Sequence, residues 1–285
     1  MNAIDFASIK KTNWRHTLRL CMGILALFMA GALLFTSCKK SEEGEGGEGG
    51  EKAAKGQAEY KKGLAAFEKK EYEDAVKSFK KAADKGNAEA MLVYAACLGT
   101  GKGIEKDKDE ADNWLQKAAD AGDATAQAVY AAKIKDSDKE KTFEYLKKSA
   151  DQNSLLGQFM LGVAYIAEDN EADTKKGLDY VRKVAEQSLT NEKTVLDYFE
   201  DELPIADAFS GTSGIDIDLP EDKQNFSNYL IVASQMLLSG VYMKQEDFAE
   251  AKKWLRKAGD NGFSQADDLL PLVEMAEKES KSKKR

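Results

Sequence analysis

The sequence predicts an all-α fold, an α-solenoid of stacked helix-turn-helix repeats, on three observations: a lysine-alanine-aspartate string that returns at a near-constant interval, a helix-favouring composition and a scarcity of proline. Overlaying the strings sets Ala75, Phe79, Lys81-Ala82-Ala83-Asp84 and Gly86 on Ala111, Leu115, Lys117-Ala118-Ala119-Asp120 and Gly122, a shift of 36 residues. A fixed period of that length marks a repeated pair of elements that cannot bury its apolar face without a neighbour. Hydrophobic residues make up 42% and charged residues 32% of the 285, enough for a core and too charged for a membrane bundle. Ala, Lys, Glu and Leu lose little side-chain freedom in a helix, and three prolines leave few places where one must stop.

Taken in chain order, residues 1–37 begin with a basic portion (Lys10, Lys11, Arg15, Arg19), continue with the apolar run Leu20–Phe35 and end in the small residues Thr36-Ser37 before Cys38. That is the layout of a secretory signal. The run of 16 residues falls short of the roughly 20 that a permanent membrane helix needs, so cleavage between Ser37 and Cys38 is expected. The segment Leu34-Phe35-Thr36-Ser37-Cys38 resembles the lipobox of bacterial lipoproteins, with Phe35 where leucine is most common. The resemblance implies lipid attachment at Cys38, on its sulfur and on its new amino group. Each buried CH₂ contributes about 0.8 kcal/mol, so two or three acyl chains hold a protein firmly at a membrane. The other reading of the segment is an uncleaved signal anchor in which Cys38 is incidental.

Residues 38–54 form a Gly/Glu tether: the stretch KKSEEGEGGEGGEK has no apolar residue, cannot bury surface, and repels itself into an extended conformation. Ser41-Glu42-Glu43 resembles the acidic stretch that sends some lipoproteins to the cell surface, while a plain tether explains the same residues. The expected location is therefore the cell envelope, lipid-anchored at the outer membrane, with the periplasmic and surface faces both open.

The repeats occupy residues 55–186, in about four units, and residues 225–277, in one more. The string recurs as Tyr145-Leu146-Lys147-Lys148-Ser149-Ala150-Asp151, as Tyr180-Val181-Arg182-Lys183-Val184-Ala185-Glu186, and as Trp254-Leu255-Arg256-Lys257-Ala258-Gly259-Asp260. From Lys183 to Lys257 is 74 residues, two periods, which leaves space for one degenerate unit. Each unit reads as two helices joined by a loop. Small residues at Ala75, Ala82, Ala111, Ala118, Ala251 and Ala258 allow close helix approach. Phe79, Trp114, Tyr145, Tyr180 and Trp254 read as packing residues between repeats rather than as a ligand stripe.

Gly63, Tyr72, Ala75, Phe79 and Ala82 fall at tetratricopeptide (TPR) spacings, as do Leu238, Tyr242, Phe248, Ala251, Leu255 and Ala258. The stretch with Tyr94, Ala95, Leu98, Gly101-x-Gly103-Ile104, Asp107, Ala111, Trp114 and Lys117-Ala118-Ala119 instead resembles a Sel-one-like repeat, the relative of TPR with a longer connecting loop. Leu161-Gly162-x-x-Tyr165 repeats its first helix, and Gly177 stands where alanine is expected. The resemblance implies a right-handed superhelix and an adaptor role in holding a protein or peptide.

Residues 187–224 break the period. Glu192–Leu203 could continue as helix, but Pro204, Gly211, Gly214 and Pro220 make Phe209–Asp222 a loop, either an irregular functional insertion or a degraded repeat. Residues 278–285 form a basic tail that suits a helix C-terminus.

The chemistry expected of the mature protein is limited. The single histidine, His16, lies in the leader, as does Cys21, so the usual general base, zinc ligand and acyl-transfer triad are missing after cleavage. Cys97, in an apolar helical stretch, reads as a buried inert thiol without a disulfide partner. Asp216, Asp218 and Asp222 fail the EF-hand spacing, and Gly101-Lys102-Gly103 lacks the rest of a phosphate loop, so neither metal nor cofactor is expected. Without the leader's four basic residues and one acidic residue the chain has 38 basic and 49 acidic residues, net −11, which excludes nucleic acid as a partner. The expectation is a non-enzyme: a membrane-anchored interaction module of the bacterial cell envelope that binds a protein or peptide partner. The alternative is an envelope hydrolase or carbohydrate-binding protein using residues 187–224.

Overall fold

The computed structural model describes residues 56–283 except 169, 192–193, 195–196, 198, 200–218 and 220. The leader, Ser37, Cys38, the tether and most of the loop Phe209–Asp222, with Asp216 and Asp218, lie outside the described residues. Among the described residues there are eleven α-helices and no strand. They are α1 (Gln57–Glu68), α2 (Tyr72–Asp84), α3 (Ala88–Thr100), α4 (Lys108–Asp120), α5 (Ala124–Ile134), α6 (Lys139–Asp151), α7 (Leu155–Ala167), α8 (Glu171–Ala185), α9 (Phe226–Lys244), α10 (Phe248–Asp260) and α11 (Ala266–Lys283). The fold is of the all-α solenoid class. No described helix is long and apolar enough to cross a membrane.

The helix boundaries are written locally. Seven helices open on an Asn or Asp whose side chain accepts the N–H three residues on: Asn87, Asp107, Asp123, Asp138, Asn170, Asn225 and Asp247. Each such cap satisfies an otherwise orphaned donor and is worth about 1 kcal/mol. The second helices α2 and α10 are strongly amphipathic, with Ala75, Phe79 and Ala82 or Ala251, Leu255 and Ala258 facing inward and lysines outward. The first helices α3 and α9 are apolar on more sides, because a first helix touches both its own partner and the preceding pair.

The described residues divide into two compact units, 56–157 and 158–283. In residues 56–157, α1–α2, α3–α4 and α5–α6 are antiparallel pairs, and α2 meets α3 as α4 meets α5. Gly101 closes α3 in the left-handed region at φ +87°, and Gly103, at φ +74°, lies so close to the start of α2 that a Cβ there would stand 2.5 Å from the Tyr72 carbonyl oxygen. The longer loop is thus a clasp between consecutive pairs.

In residues 158–283, α8 packs on α9, α9 on α10 and α10 on α11. Helix α9 is buried at 16 of its 19 positions. Its Gln235, fully buried, donates to the Ala185 carbonyl at 2.9 Å, as Gln127 of α5 donates to the Ala119 carbonyl at 3.2 Å. Ala185 and Ala119 hold the same place in the repeated string, so α9 sits on α8 as α5 sits on α4, and residues 186–225 come between consecutive pairs in the sequence. The described residues at the two ends of that segment are tied together. Asn228 donates to the carbonyls of Thr190 (2.6 Å) and Lys223 (2.7 Å) and accepts from the Thr190 N–H, while Asp197 accepts the Phe226 N–H.

Candidate functional site

The sequence-expected packing residues are all placed in the described structure, and they divide into two kinds. Ala75, Phe79, Ala82, Ala111, Ala118, Ala251 and Ala258 have no exposed surface; they let the helices of a pair touch. At Gly63 a Cβ would fall 2.5 Å from the Phe79 ring, which makes glycine the complement of that phenylalanine. The aromatics Trp114, Tyr145, Tyr180 and Trp254 behave differently: the tryptophans are 9% and 2% exposed, and the two tyrosines are half-buried.

These four aromatics carry a repeated arrangement. Three residues after each, one helical turn on, a lysine folds its ammonium over the ring: Lys117 on Trp114 at 4.2 Å from the centroid, Lys148 on Tyr145 at 5.5 Å, Lys183 on Tyr180 at 5.1 Å and Lys257 on Trp254 at 5.4 Å. Such contacts contribute about 0.5–1 kcal/mol each at exposed sites. In three pairs a tyrosine of the first helix completes the rung: Tyr94 meets Trp114 and Tyr130 meets Tyr145 edge to face, and Tyr165 stacks on Tyr180. The indole N–H groups are matched by the acid four residues earlier, Glu110 for Trp114 and Glu250 for Trp254.

Rungs also join neighbouring pairs. Lys80 of α2 reaches both Tyr94 (5.6 Å) and Trp114 (5.3 Å), and the Tyr145 hydroxyl donates to Asp120, the aspartate of the preceding string, at 2.5 Å. Burial, then that hydrogen bond, pushes the Tyr145 hydroxyl well above the ordinary phenol range; burial does the same for Tyr94 and Tyr130. All three are neutral hydroxyls at working pH, able to donate and accept. The result, among the described residues, is a row of buried and half-buried rings overlaid by long cationic side chains. The carboxyls that burial pushes upward among the described residues are Asp112, paired with Lys133, and Asp123, which caps α5. Both lie in residues 56–157. Among the described residues no cluster of three metal-ligating side chains occurs. Cys97 is fully buried.

Two features escaped the sequence reading. One is the buried glutamine register; its signal is a small residue followed by glutamine at the same place in several first helices, Gly56-Gln57, Ala126-Gln127, Gly157-Gln158 and Ser234-Gln235. The other is the Arg182–Tyr242 contact, which joins residues 60 apart and has no local signature.

The profile of the Sel1 repeat family matches residues 56–87, 88–123, 134–154 and 230–263, so the protein has Sel1-like repeats over these segments. Repeats of this kind generally mediate protein–protein interaction. Solved structures similar to it include two repeat proteins. One is a Sel1 repeat protein from Oxalobacter formigenes, at 19% identity, covering 74% of this protein and 86% of that one with a TM-score of 0.42. The other is a protective antigen of uropathogenic Escherichia coli displaying an SLR fold, at 19% identity, covering 76% of this protein and 48% of that one with a TM-score of 0.44. The protein thus spans about half the length of the second. No curated protein matches it in sequence.

Proposed function

We propose that the protein is a non-enzymatic protein-interaction module of the bacterial cell envelope, lipid-anchored through Cys38 and held off the membrane by its Gly/Glu tether. The observation that carries the interaction role is the ring-and-lysine rung repeated on four second helices, α4 and α6 in the first unit, α8 and α10 in the second. One rung gives little, but successive rungs within a unit give a partner cumulative contact area without any single deep pocket. Anchoring rests on the leader and on the lipobox-like residues ending in Cys38, and it keeps the partner search at a membrane surface.

The test is a pull-down from detergent-solubilised envelope, comparing the native protein with a Lys117→Glu/Tyr145→Ala/Lys148→Glu variant whose helicity is unchanged. Loss of specific partners from the variant is expected; identical partner lists would sink the reading. Anchoring has a separate test. Cys38→Ala should abolish incorporation of labelled palmitate, and undiminished labelling would refute the lipoprotein assignment.

A further inference from the structure

Helix α1 packs on α2 and buries Tyr60, Gly63 and Phe67; among the described residues no helix precedes it. The opposite side of α1 carries Ala58, Lys61, Lys62, Ala65 and, at its end, Lys69, all exposed, and exposed Lys70 follows in the turn. With 3.6 residues per turn the five positions form one stripe along the helix. The two alanines keep that stripe flat, so the long lysine stems can lie against a broad surface and present their ammonium groups to it.

These cations are open. Among the described residues none of Lys61, Lys62, Lys69 and Lys70 lies within ion-pair distance of a carboxylate. Of the neighbouring acids, Glu59 is held by Lys85, which leaves Glu68 and Glu71 beside four lysines. The first repeat, residues 56–87, holds eight basic and six acidic residues, net +2. Residues 38–55, with four lysines and five glutamates, are too evenly charged to cancel it, and residues 88–285 hold 26 basic and 38 acidic residues, net −12. A solenoid end must be polar to stay in solution, but solubility does not ask for one sign. At the other end α11 exposes Asp267, Asp268 and Glu274 together with Lys278 and Lys281.

We propose that the lysine stripe of α1, with Lys70, is a docking face for a bilayer surface bearing anionic lipid headgroups. This rests on the anchoring proposed above, since the stripe belongs to the helix that follows the tether and Cys38. Each lysine at such a surface favours contact about fivefold, and the attraction fades within about 10 Å at ordinary salt. The anchor keeps the face within reach of the surface, so a short-range attraction is enough. The tether limits how far the protein stands off; the stripe selects the first repeat, over the acidic remainder, as the part that comes down on the membrane.

The test uses the full-length lipidated protein, reconstituted into vesicles of phosphatidylcholine alone or of equal parts phosphatidylcholine and phosphatidylglycerol. A brief pulse of an amine-reactive ester is followed by mass spectrometry of each lysine. Lys61, Lys62, Lys69 and Lys70 should label about fivefold or more slowly on the anionic vesicles, exposed Lys147 and Lys278 alike on both, and raised salt should erase the difference. Lys61→Gln/Lys62→Gln/Lys69→Gln should abolish the slowing at Lys70 with the melting temperature unchanged. Lys106→Gln/Lys139→Gln/Lys141→Gln removes the same charge elsewhere in the unit and should preserve it. Equal slowing of every exposed lysine overturns the proposal. Slow labelling of the four on neutral vesicles that quickens on dilution assigns the face to a second copy and overturns it too. Flotation separates the face from the anchor. Protein that floats with both vesicle types and labels equally on them keeps the anchor and loses the docking face. Protein that floats with anionic vesicles alone, with those four lysines slowed, loses the anchor and keeps the face; floating with neither refutes both.

Discussion

The repeat position that is alanine at 75 and 111 in the first unit and at 251 in the second is glycine at 177 in α8. Ala111 fills its site with a methyl group and is fully buried, whereas at Gly177 a Cβ would stand 2.5 Å from the Gly162 carbonyl oxygen and 2.7 Å from the Ile166 side chain. Gly162 reciprocates, since a Cβ on it would lie 2.6 Å from Val181. Helices α7 and α8 therefore approach more closely than a methyl group permits. Small side chains and aromatic rungs occur in both units; what the second adds is the reciprocal glycine contact between α7 and α8 and a long buried helix. A departure from the repeat pattern is thus a change of packing mode rather than decay.

The strongest way to break this comparison is to exchange the two residues. Gly177→Ala, a change toward the repeat pattern, should destabilise by about 2 kcal/mol, because the methyl group meets backbone that cannot yield. Ala111→Gly should cost about 1 kcal/mol through helix propensity and a lost methyl contact. Denaturant unfolding of both variants decides, and a neutral or stabilising Gly177→Ala would remove the close-approach argument.

The glutamine register sharpens the comparison from the other direction, since it is what the two units share. Gln127→Leu and Gln235→Leu should each cost about 1–2 kcal/mol, because each strips a buried carbonyl of a donor and unpairs an amide, Gln152 or Asn261. The Gln235 change should be the milder one, as Lys257 still serves the Ala185 carbonyl. A neutral Gln235→Leu would mean that α9 does not depend on the register that holds α5.

Acid probes one ion-pair cluster of the second unit. Lys252, the larger influence, and Lys281 together hold the partly exposed Glu277 carboxyl down from its ordinary 4.5 to about 2. A depressed carboxyl lends stability above pH 4.5 and loses it as the pH falls toward about 2. The difference in melting temperature between the native protein and Glu277→Gln should be small at pH 7 and should vanish as the pH falls through that window; a constant difference would show that the Lys252 and Lys281 contacts contribute nothing.

The smallest effect concerns the turns inside pairs. Lys70 and Glu246 both occupy left-handed backbone, at φ 63° and 58°. Lys70→Gly should stabilise by about 0.5 kcal/mol, the relief of that backbone slightly exceeding the added freedom of the unfolded state. Glu246→Gly should gain less, because the Glu246 carboxylate also accepts from Ser280 of α11. Thermal melts of the two variants separate the cases.

Much of this was readable in the sequence. The period of 36 residues, the alanines at 75, 82, 111, 118, 251 and 258, and the Asn and Asp residues before most helices are local or strictly periodic signals, and they specify helices, their ends and their pairing. The rungs were half readable: Trp114, Tyr145, Tyr180 and Trp254 were recognisable as equivalent, and the lysine three residues on recurs in the string, but that its ammonium lies over the ring is set by side-chain geometry that residue order does not record. Gly177 looked like divergence, since a sequence shows the missing methyl group and not the backbone that takes its place.

Periodicity and capping are properties of neighbours three to four or about thirty-six residues apart, and residue order records them directly. What joins Gly162 to Gly177, Asn228 to Thr190 and Arg182 to Tyr242 is the distance between backbones once helices have stacked. That distance depends on summed packing across the unit, so the contact of Arg182 with Tyr242 emerges only when α9 is seen to run long enough to set a phenol against the guanidinium.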